Sequence, residues 1–381
     1  MKIGIDAISF YAPGYHYDLE LLAKMRKIDP NKYLKGLNQV RFRVAPKWHD
    51  AISLGANAAL QVINEQNLSQ IDLILFATES GTDFSKAGAT ILHELLNLKF
   101  EAKAIEIKQA CFGITAAIDY ATGHIIQNPM AKVLIIGSDL AKYGVDTPGE
   151  PTQGAGAVAM IVAKDPKIMI FNQIKAYLTK NAYDFWRPNN CAFPLVDGKL
   201  STELYLEMFE ETFNSYLVKS QQKTADLAAI CFHIPYSKLA FKALDLIEEP
   251  SLTLYESLEA AIKYNQQIGN IYTGSLYLNL ISLLENKTFE AGAQIGLYSY
   301  GSGAVAQFFS GKLVAGYQEY LNRDYHHNLI ESSKLLTYDE YQQLIMNDFF
   351  EQINQELTPS DNSKVYLSKI VNYQRQYKRV E

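Results

Sequence analysis

Glu79, Cys111, His233 and Asn270 stand at the ends of apolar runs or the starts of helix-like ones, and their side chains together suit acyl chemistry. Cys111 follows KAIEIKQA and precedes FGITAAIDYATGHII, whose spacing is helical, so the thiol lies at a strand-to-helix turn. Unpaired N–H groups and the positive end of a helix favour a thiolate there. The same position suits a buried structural cysteine, and for Cys231, in the middle of the strand AAICFHI, that reading prevails. His233 ends an apolar strand just before Pro235, the carboxyl end where ligands gather in α/β folds. Asn270 in GNIYTGS also fits a helix N-cap. Glu79 closes LILFAT and opens a Ser-Gly loop, as a solvated carboxylate or as a base kept at raised pKa by its surroundings. Cysteine and histidine suit acyl transfer, for which hydrolysis would need no further carboxylate and amide. A carboxylate beside the α-carbon of an acyl-thioester can remove its proton, and the resulting enolate can form a carbon–carbon bond.

The elements that must position these residues alternate between strand and helix. Short β-rich runs at 71–80, 103–110, 132–141, 156–165, 226–235 and 293–303 are separated by segments of helical period, which predicts an α/β fold with buried sheets. The chain also repeats itself. Asp72 precedes Glu79 by seven residues, as Asp226 precedes His233. Gly154-Ala155-Gly156-Ala157-Val158-Ala159 recurs as Gly301-Ser302-Gly303-Ala304-Val305-Ala306 at nearly the same offset. Two pseudo-symmetric halves follow, with a boundary near 165–175: an N-terminal half at 1–168 carrying Glu79 and Cys111, and a C-terminal half at 169–381 carrying His233 and Asn270. The segment 181–201, rich in aromatic residues and loop formers, is expected to fold over the site. From about 312 the polar, Tyr-rich sequence is expected to form a helical C-terminal extension.

The chain has 381 residues, 48% apolar and 20% charged, with a net charge of -6. This is ordinary globular composition, without the basic footprint of nucleic-acid or anionic-membrane binding. Three cysteines without a CxxC pair make neither a disulfide framework nor a zinc site. The start, MKIGIDAISFYAPG, reads as strand and turn, and no apolar run is long enough to span a bilayer. A soluble, cytoplasmic protein is expected.

From IGIDAISFYAP through FATESGTD, KQACFGITAA, SDLAKYG, GEPTQGAGAVAM, YDFWRP with VDGKLS, FHIPYSKLAFKAL, GNIYTGSLYLNL and YGSGAVAQFFSG, the sequence resembles the HMG-CoA synthase family of the thiolase superfamily. The resemblance spans nearly the whole chain and fits the compact bacterial branch. It implies a thiolase-like fold, two βαβαβαββ halves in a five-layer αβαβα sandwich. It implies an acyltransferase that condenses acetyl-CoA with acetoacetyl-CoA through an acetyl-Cys111 thioester, a step of the mevalonate route to isoprenoids. Glu79 would be the condensation base, and His233 would polarise the acceptor ketone with Asn270 as second donor. The N–H groups of Cys111 and Ser302 would form the oxyanion hole. Lys238 and Lys242 match positions near the CoA phosphates, and also suit a solvated helix face. Thr152 and Ser201 match acyl-CoA contacts and Asp29 one near the nucleotide. Tyr143, Asp139 and Asp184 match residues supporting the site. A homodimer is implied, with CoA thioesters as substrates and neither cofactor nor metal.

Three other readings compete. A related synthase acting on carrier-protein thioesters shares the motifs around the nucleophile. A cysteine hydrolase accounts for Cys111 and His233 but leaves Glu79, Asn270 and the repeat without roles. A silent acyl-CoA-binding partner should lack the nucleophile or the base, and both are present.

Overall fold

The computed structural model describes residues 1–346, 356–361 and 363–380. Nine strands make the main sheet: β1 (Ile3–Tyr11), β2 (Ile71–Ala77), β3 (Lys103–Ile107), β4 (Lys132–Ala141), β5 (Gly154–Lys164), β6 (Met169–Thr179), β7 (Ala229–Phe232), β8 (Gln294–Gly301) and β9 (Val305–Leu313). Their spatial order is β7-β8-β9-β6-β1-β5-β4-β2-β3. In the first half β1 pairs antiparallel with β5, β5 antiparallel with β4, and β4 parallel with β2. In the second half β6, β9, β8 and β7 repeat those pairings in that order. Only β3, parallel to β2 at the edge, lacks a counterpart in the sheet. Two residue pairs, Gly4 with Ile170 and Ile5 with Met169, join the halves.

The helices that cover this sheet are α1 (Ala51–Ala59), α2 (Gly88–Leu95), α3 (Gly113–Gln127), α4 (Gly198–Ser220), α5 (Ser237–Leu244), α6 (Leu252–Ile268), α7 (Ser275–Asn286) and α8 (Arg323–Glu331). Side chains alternate along each strand, so β2 serves two cores. Leu73, Leu75 and Ala77 share a core with Ile114 and Ile118 of α3, Leu280 and Ile281 of α7, and Cys231 and Leu297 of the second half. Ile74 and Phe76 face Ile52, Leu54 and Leu92 on α1 and α2. The outer core of the second half joins Ile230, Phe232 and Phe308 to Met208 and Phe209 of α4 and Leu239 of α5. Helices therefore lie outside, between and outside two sheet halves, giving five layers in a thiolase-like α/β fold. Burial on both faces explains why the strands read as continuous apolar runs.

Several elements differ from the sequence expectation. β6 escaped notice because MIFNQIKAYLT interleaves lysine, glutamine and asparagine with its apolar residues, and its face is only partly buried. The insertion ends at Asp197, whose side chain accepts from the Leu200 N–H at 3.0 Å and caps α4, so Ser201 is helical. The C-terminal extension is not wholly helical. After α8 and a helix at Tyr338–Met346, strands Val365–Val371 and Gln374–Arg379 form an antiparallel hairpin. Its alternation is short and largely polar on the exposed strand, which hid it in the composition. Among the described residues no helix is long and apolar enough to cross a membrane.

Candidate functional site

Asp139 near the end of β4 organises the turn that carries Glu79. Its Oδ1 accepts from the Glu79 N–H at 2.7 Å, the Ser80 N–H at 3.0 Å, the Ser80 hydroxyl at 2.9 Å and the Thr78 hydroxyl at 3.0 Å. Its Oδ2 accepts from the Thr273 N–H at 3.3 Å, in the turn before α7. Burial raises the Asp139 pKa, and these donors favour its anion. Glu79 has less compensation. Burial, then the neighbouring Asp139, push its carboxyl up to about 8.

Cys111 lies between β3 and α3, after Ala110 at φ +44°. Its thiol donates to Glu79 Oε1 at 3.1 Å. Burial, with Glu79 next, raises the thiol well above its ordinary range, so the expected thiolate does not form at rest. The helix terminus gives little relief, because the Ile114 N–H donates to Thr273 Oγ1 at 2.8 Å. Small residues let the two halves meet here. A Cβ on Gly113 would lie 2.9 Å from Ala77 Cβ and 3.1 Å from Thr273 Oγ1.

His233 follows β7 directly. Its N–H donates to the Tyr298 carbonyl at 2.8 Å, and its own carbonyl accepts from the Tyr205 hydroxyl at 2.7 Å. The ring is buried, its Nδ1 has no hydrogen-bond partner among the described residues, and burial pushes its pKa down to about 3. It is therefore a neutral imidazole. No hydrogen bond joins it to Cys111. Asn270 is the N-cap of neither following helix, because Ile271 and Gly274 hold those positions, but its side chain holds the turn before them. Its Oδ1 accepts from the Tyr272 N–H and the Ser275 hydroxyl, both at 2.9 Å, while Nδ2 donates to the Tyr143 hydroxyl at 3.4 Å.

Ser302 lies in the turn between β8 and β9. Gly301 just before it packs so closely on the turn of Cys111 that a Cβ would come 2.7 Å from Phe112 Cβ and 2.8 Å from Phe112 N. Asp184 accepts from the Gly303 N–H at 2.9 Å and the Tyr300 hydroxyl at 2.7 Å, fastening the segment after β6 to this turn. Beyond it Phe185–Trp186 pairs with Leu195–Val196 as a small ribbon. The Phe185 ring packs against Tyr143 and Tyr272, and Arg187 donates to the Glu79 carbonyl at 2.6 Å. The segment thus covers the site.

The remaining residues sit farther out in the contact network. Lys238 and Lys242 are exposed on α5, whose Lys238 N–H donates to the Leu37 carbonyl at 2.9 Å and brings the helix against the 29–37 segment. Asp29 in that segment is exposed and accepts from the Asn31 N–H and side-chain amide. The Thr152 hydroxyl donates to the Gly149 carbonyl at 2.9 Å, and Ser201 occupies the first turn of α4. A cleft of about 1380 Å³ between α2 and the C-terminal hairpin holds none of these residues. The described residues contain no group of three or more His, Cys, Asp or Glu side chains placed to hold a metal ion.

Tyr272, Thr273 and Arg187 were missed. Arg187 lies in YDFWRP and Tyr272 and Thr273 in GNIYTGS, so the motifs pointed to the right segments without showing which side chains turn inward. Gln153 was missed as well. It takes the Tyr143 N–H on Oε1 at 3.0 Å and donates to the Tyr341 hydroxyl at 3.0 Å.

Comparisons with known proteins agree over the full length. The sequence model for the hydroxymethylglutaryl-coenzyme A synthase N terminal matches residues 1–167, and that for the C terminal matches 168–248 and 249–378. Hydroxymethylglutaryl-CoA synthase of Enterococcus faecalis is 43% identical, covering 99% of this chain and 100% of that protein. Polyketide biosynthesis 3-hydroxy-3-methylglutaryl-ACP synthase PksG of Bacillus subtilis is 30% identical, covering 82% of this chain and 80% of its own. The crystal structure of an HMG-CoA synthase complexed with CoA matches with a TM-score of 0.96 at 40% identity, covering all of both chains. MvaS in complex with 3-hydroxy-3-methylglutaryl coenzyme A matches at 0.91 and 30%, covering 100% of this chain and 99% of that one. Matched in both halves by sequence and from end to end by fold, the chain belongs to the hydroxymethylglutaryl-coenzyme A synthase family, whose members are acyltransferases.

Proposed function

We propose that the protein condenses acetyl-CoA with acetoacetyl-CoA and water to give 3-hydroxy-3-methylglutaryl-CoA and CoA, in the mevalonate route to isoprenoids. The observation that carries this reading is the Cys111 Sγ to Glu79 Oε1 contact of 3.1 Å, which puts a carboxylate beside whatever acyl group the sulfur holds. The thiol proton passes to Glu79 as sulfur attacks the acetyl carbonyl, and CoA leaves as its thiol. Glu79, freed of that proton, removes one from the acetyl methyl group. A carboxylate of raised pKa suits so weak a carbon acid. The enolate attacks the C3 ketone of acetoacetyl-CoA, whose oxygen is held by hydrogen bonds from His233 and the Asn270 amide. That oxygen takes a proton from His233 to become the hydroxyl, and the proton that Glu79 removed from the methyl group restores His233. Water then cleaves the Cys111 thioester, restoring the thiol and leaving the new carboxylate on the product. The N–H groups of Cys111 and Ser302 hold the thioester oxygen. Asp139, Tyr143 and Asp184 support the site, while Asp29, Thr152, Ser201, Lys238 and Lys242 bind the CoA thioesters.

The halves 1–168 and 169–381 are taken as the two duplicated units, which the repeated strand order supports. A cytoplasmic homodimer that needs no cofactor or metal follows from the family alone. Carrier-protein thioesters are the alternative substrates, as the PksG likeness suggests, but 43% identity to the E. faecalis synthase against 30% favours CoA esters.

Mass spectrometry of the protein mixed with acetyl-CoA tests the mechanism. Acetylated Cys111 is expected in the wild type and absent in Cys111→Ala. Glu79→Ala loses the acceptor of the thiol proton but should still acetylate, because the charge that disfavours the thiolate is lost with it and the proton can pass to water. That variant should release no product with acetoacetyl-CoA. Wild-type protein that stays unmodified would sink the reading, and activity confined to carrier-protein thioesters would move it to the alternative.

A further inference from the structure

The peptide groups on the two sides of Glu79 are held from opposite halves of the molecule. Its N–H donates to Asp139 Oδ1 at 2.7 Å within the first half. Its carbonyl accepts from Arg187 at 2.6 Å, and Arg187 belongs to the ribbon that follows β6. Fixing both neighbouring peptide planes fixes the Cα–Cβ direction, and with it the reach of the carboxylate to Cys111 Sγ. Asp139 alone pins only one plane. The ribbon is a firm support, because Asp184 ties its base to the Tyr300 hydroxyl and the Gly303 N–H, and the Asp197 N–H donates to the Asp184 carbonyl at 3.0 Å. Arg187 forms no ion pair with a carboxylate of the described residues, and its outer face is exposed. Its contact with the site is thus the Glu79 carbonyl.

We propose that Arg187 is a positioning residue for the condensation base, its guanidinium clamping the Glu79 carbonyl so that the carboxylate stays aimed at the acyl group on Cys111. This rests on the reading of Glu79 as that base. A second effect accompanies the first. The charged or ionisable groups facing Glu79 are Asp139, Asp184, Cys111, Tyr143, Tyr272 and Arg187, and among them Arg187 supplies the positive charge. It opposes the upward pull of burial and Asp139 on the Glu79 pKa.

The test uses Arg187→Ala and Arg187→Lys in the full chain, measuring acetylation of Cys111 by acetyl-CoA separately from condensation on the pre-acetylated enzyme. Arg187→Ala should still form acetyl-Cys111, as expected for Glu79→Ala, and a thermal unfolding midpoint near that of the wild type shows that the variant is folded. Condensation should slow about tenfold to a hundredfold, the cost of a base held loosely near its target. The acid limb of its pH profile should move to higher pH, since loss of the cation leaves Glu79 more basic. Arg187→Lys should recover most of the rate, and added guanidinium ion should restore part of it to Arg187→Ala. Unchanged condensation overturns the assignment. So does a change confined to the KM for acetoacetyl-CoA, or a joint loss of both steps with the pH limb unmoved. If the wild type itself forms no acetyl-Cys111, the functional reading fails first.

Discussion

At the residue scale, a half-buried carboxylate and a half-buried thiol share a hydrogen bond. Glu79 raises the pKa of the thiol, whereas the thiol's hydrogen bond lowers that of Glu79 against the upward pull of burial and Asp139. This explains how a cysteine at a helix start stays a thiol: desolvation and the three nearby carboxylates of Glu79, Asp139 and Asp184 outweigh a terminus whose first free N–H is already bonded to Thr273. A consequence is a pH dependence of definite sign. As the proposed base, Glu79 works only when deprotonated, and its pKa is raised to about 8, so the active fraction grows as pH rises. Condensation on acetylated enzyme should therefore gain about tenfold per pH unit below that value and level off above it. Stopped-flow measurement between about pH 6 and 9 checks this; a flat profile, or one that falls with pH, contradicts it. His233 should contribute no limb near neutrality, since burial keeps its pKa down to about 3.

At the scale of elements, the site is a junction of strand ends and turns, and its precision depends on close approach. The end of β8 lies against the turn of Cys111 with no room for a Cβ at Gly301. Gly301→Ala should push the Phe112 backbone away and displace Cys111. The expected outcome is acetylation slowed by about a hundredfold, with a loss of about 1–3 kcal/mol in stability from overpacking. Single-turnover acetylation and urea denaturation measure the two effects, and near-normal acetylation would show that the turn yields without moving Cys111. Much of this junction was legible. The Asp-to-Glu79 and Asp-to-His233 spacings reflect topologically equivalent strands, β2 and β7, and the GxGAVA pair reflects β5 and β9. The glycines differ in place, however. Those at 154 and 156 lie in β5, whereas Gly301 ends β8 and Gly303 lies in the turn before β9, a difference that identical residue types do not reveal.

For the whole molecule, the C-terminal extension is bound to the core by polar clips. His326 on α8 donates from Nδ1 to Glu285 Oε1 at 2.7 Å, with Nε2 accepting from the Phe10 N–H at 3.2 Å and lying 2.7 Å from the Ser9 hydroxyl. Glu285 Oε2 accepts from the Tyr264 hydroxyl at 2.7 Å. The buried Arg43 guanidinium donates to the carbonyls of Pro13, Leu329 and Ile330, the last two at the end of α8. His326→Ala would strip a buried carboxylate of one partner and leave a void, so stability should fall by about 3 kcal/mol. Denaturant unfolding reads this, and the folded variant should still acetylate Cys111, because the clip lies outside the site. A loss below about 1 kcal/mol would show that Tyr264 and rearranged neighbours satisfy Glu285 alone.

The amino-acid sequence by itself determined the alternation of strand and helix and the spacings that recur in equivalent strands, because apolar period and turn chemistry are local and the repeat preserves them. It also marked Glu79 and Cys111 as chemically out of the ordinary at the ends of apolar runs. Only the tertiary structure decided their ionisation, since desolvation and neighbouring charge come from Asp139 and Asp184, which are distant in the chain. It alone decided that the segment after β6 reaches Glu79 through Arg187, a contact across 108 positions that no spacing rule encodes. The strand β6 and the C-terminal hairpin were likewise settled by pairing with remote partners, which stabilises segments whose own residues carry a weak period.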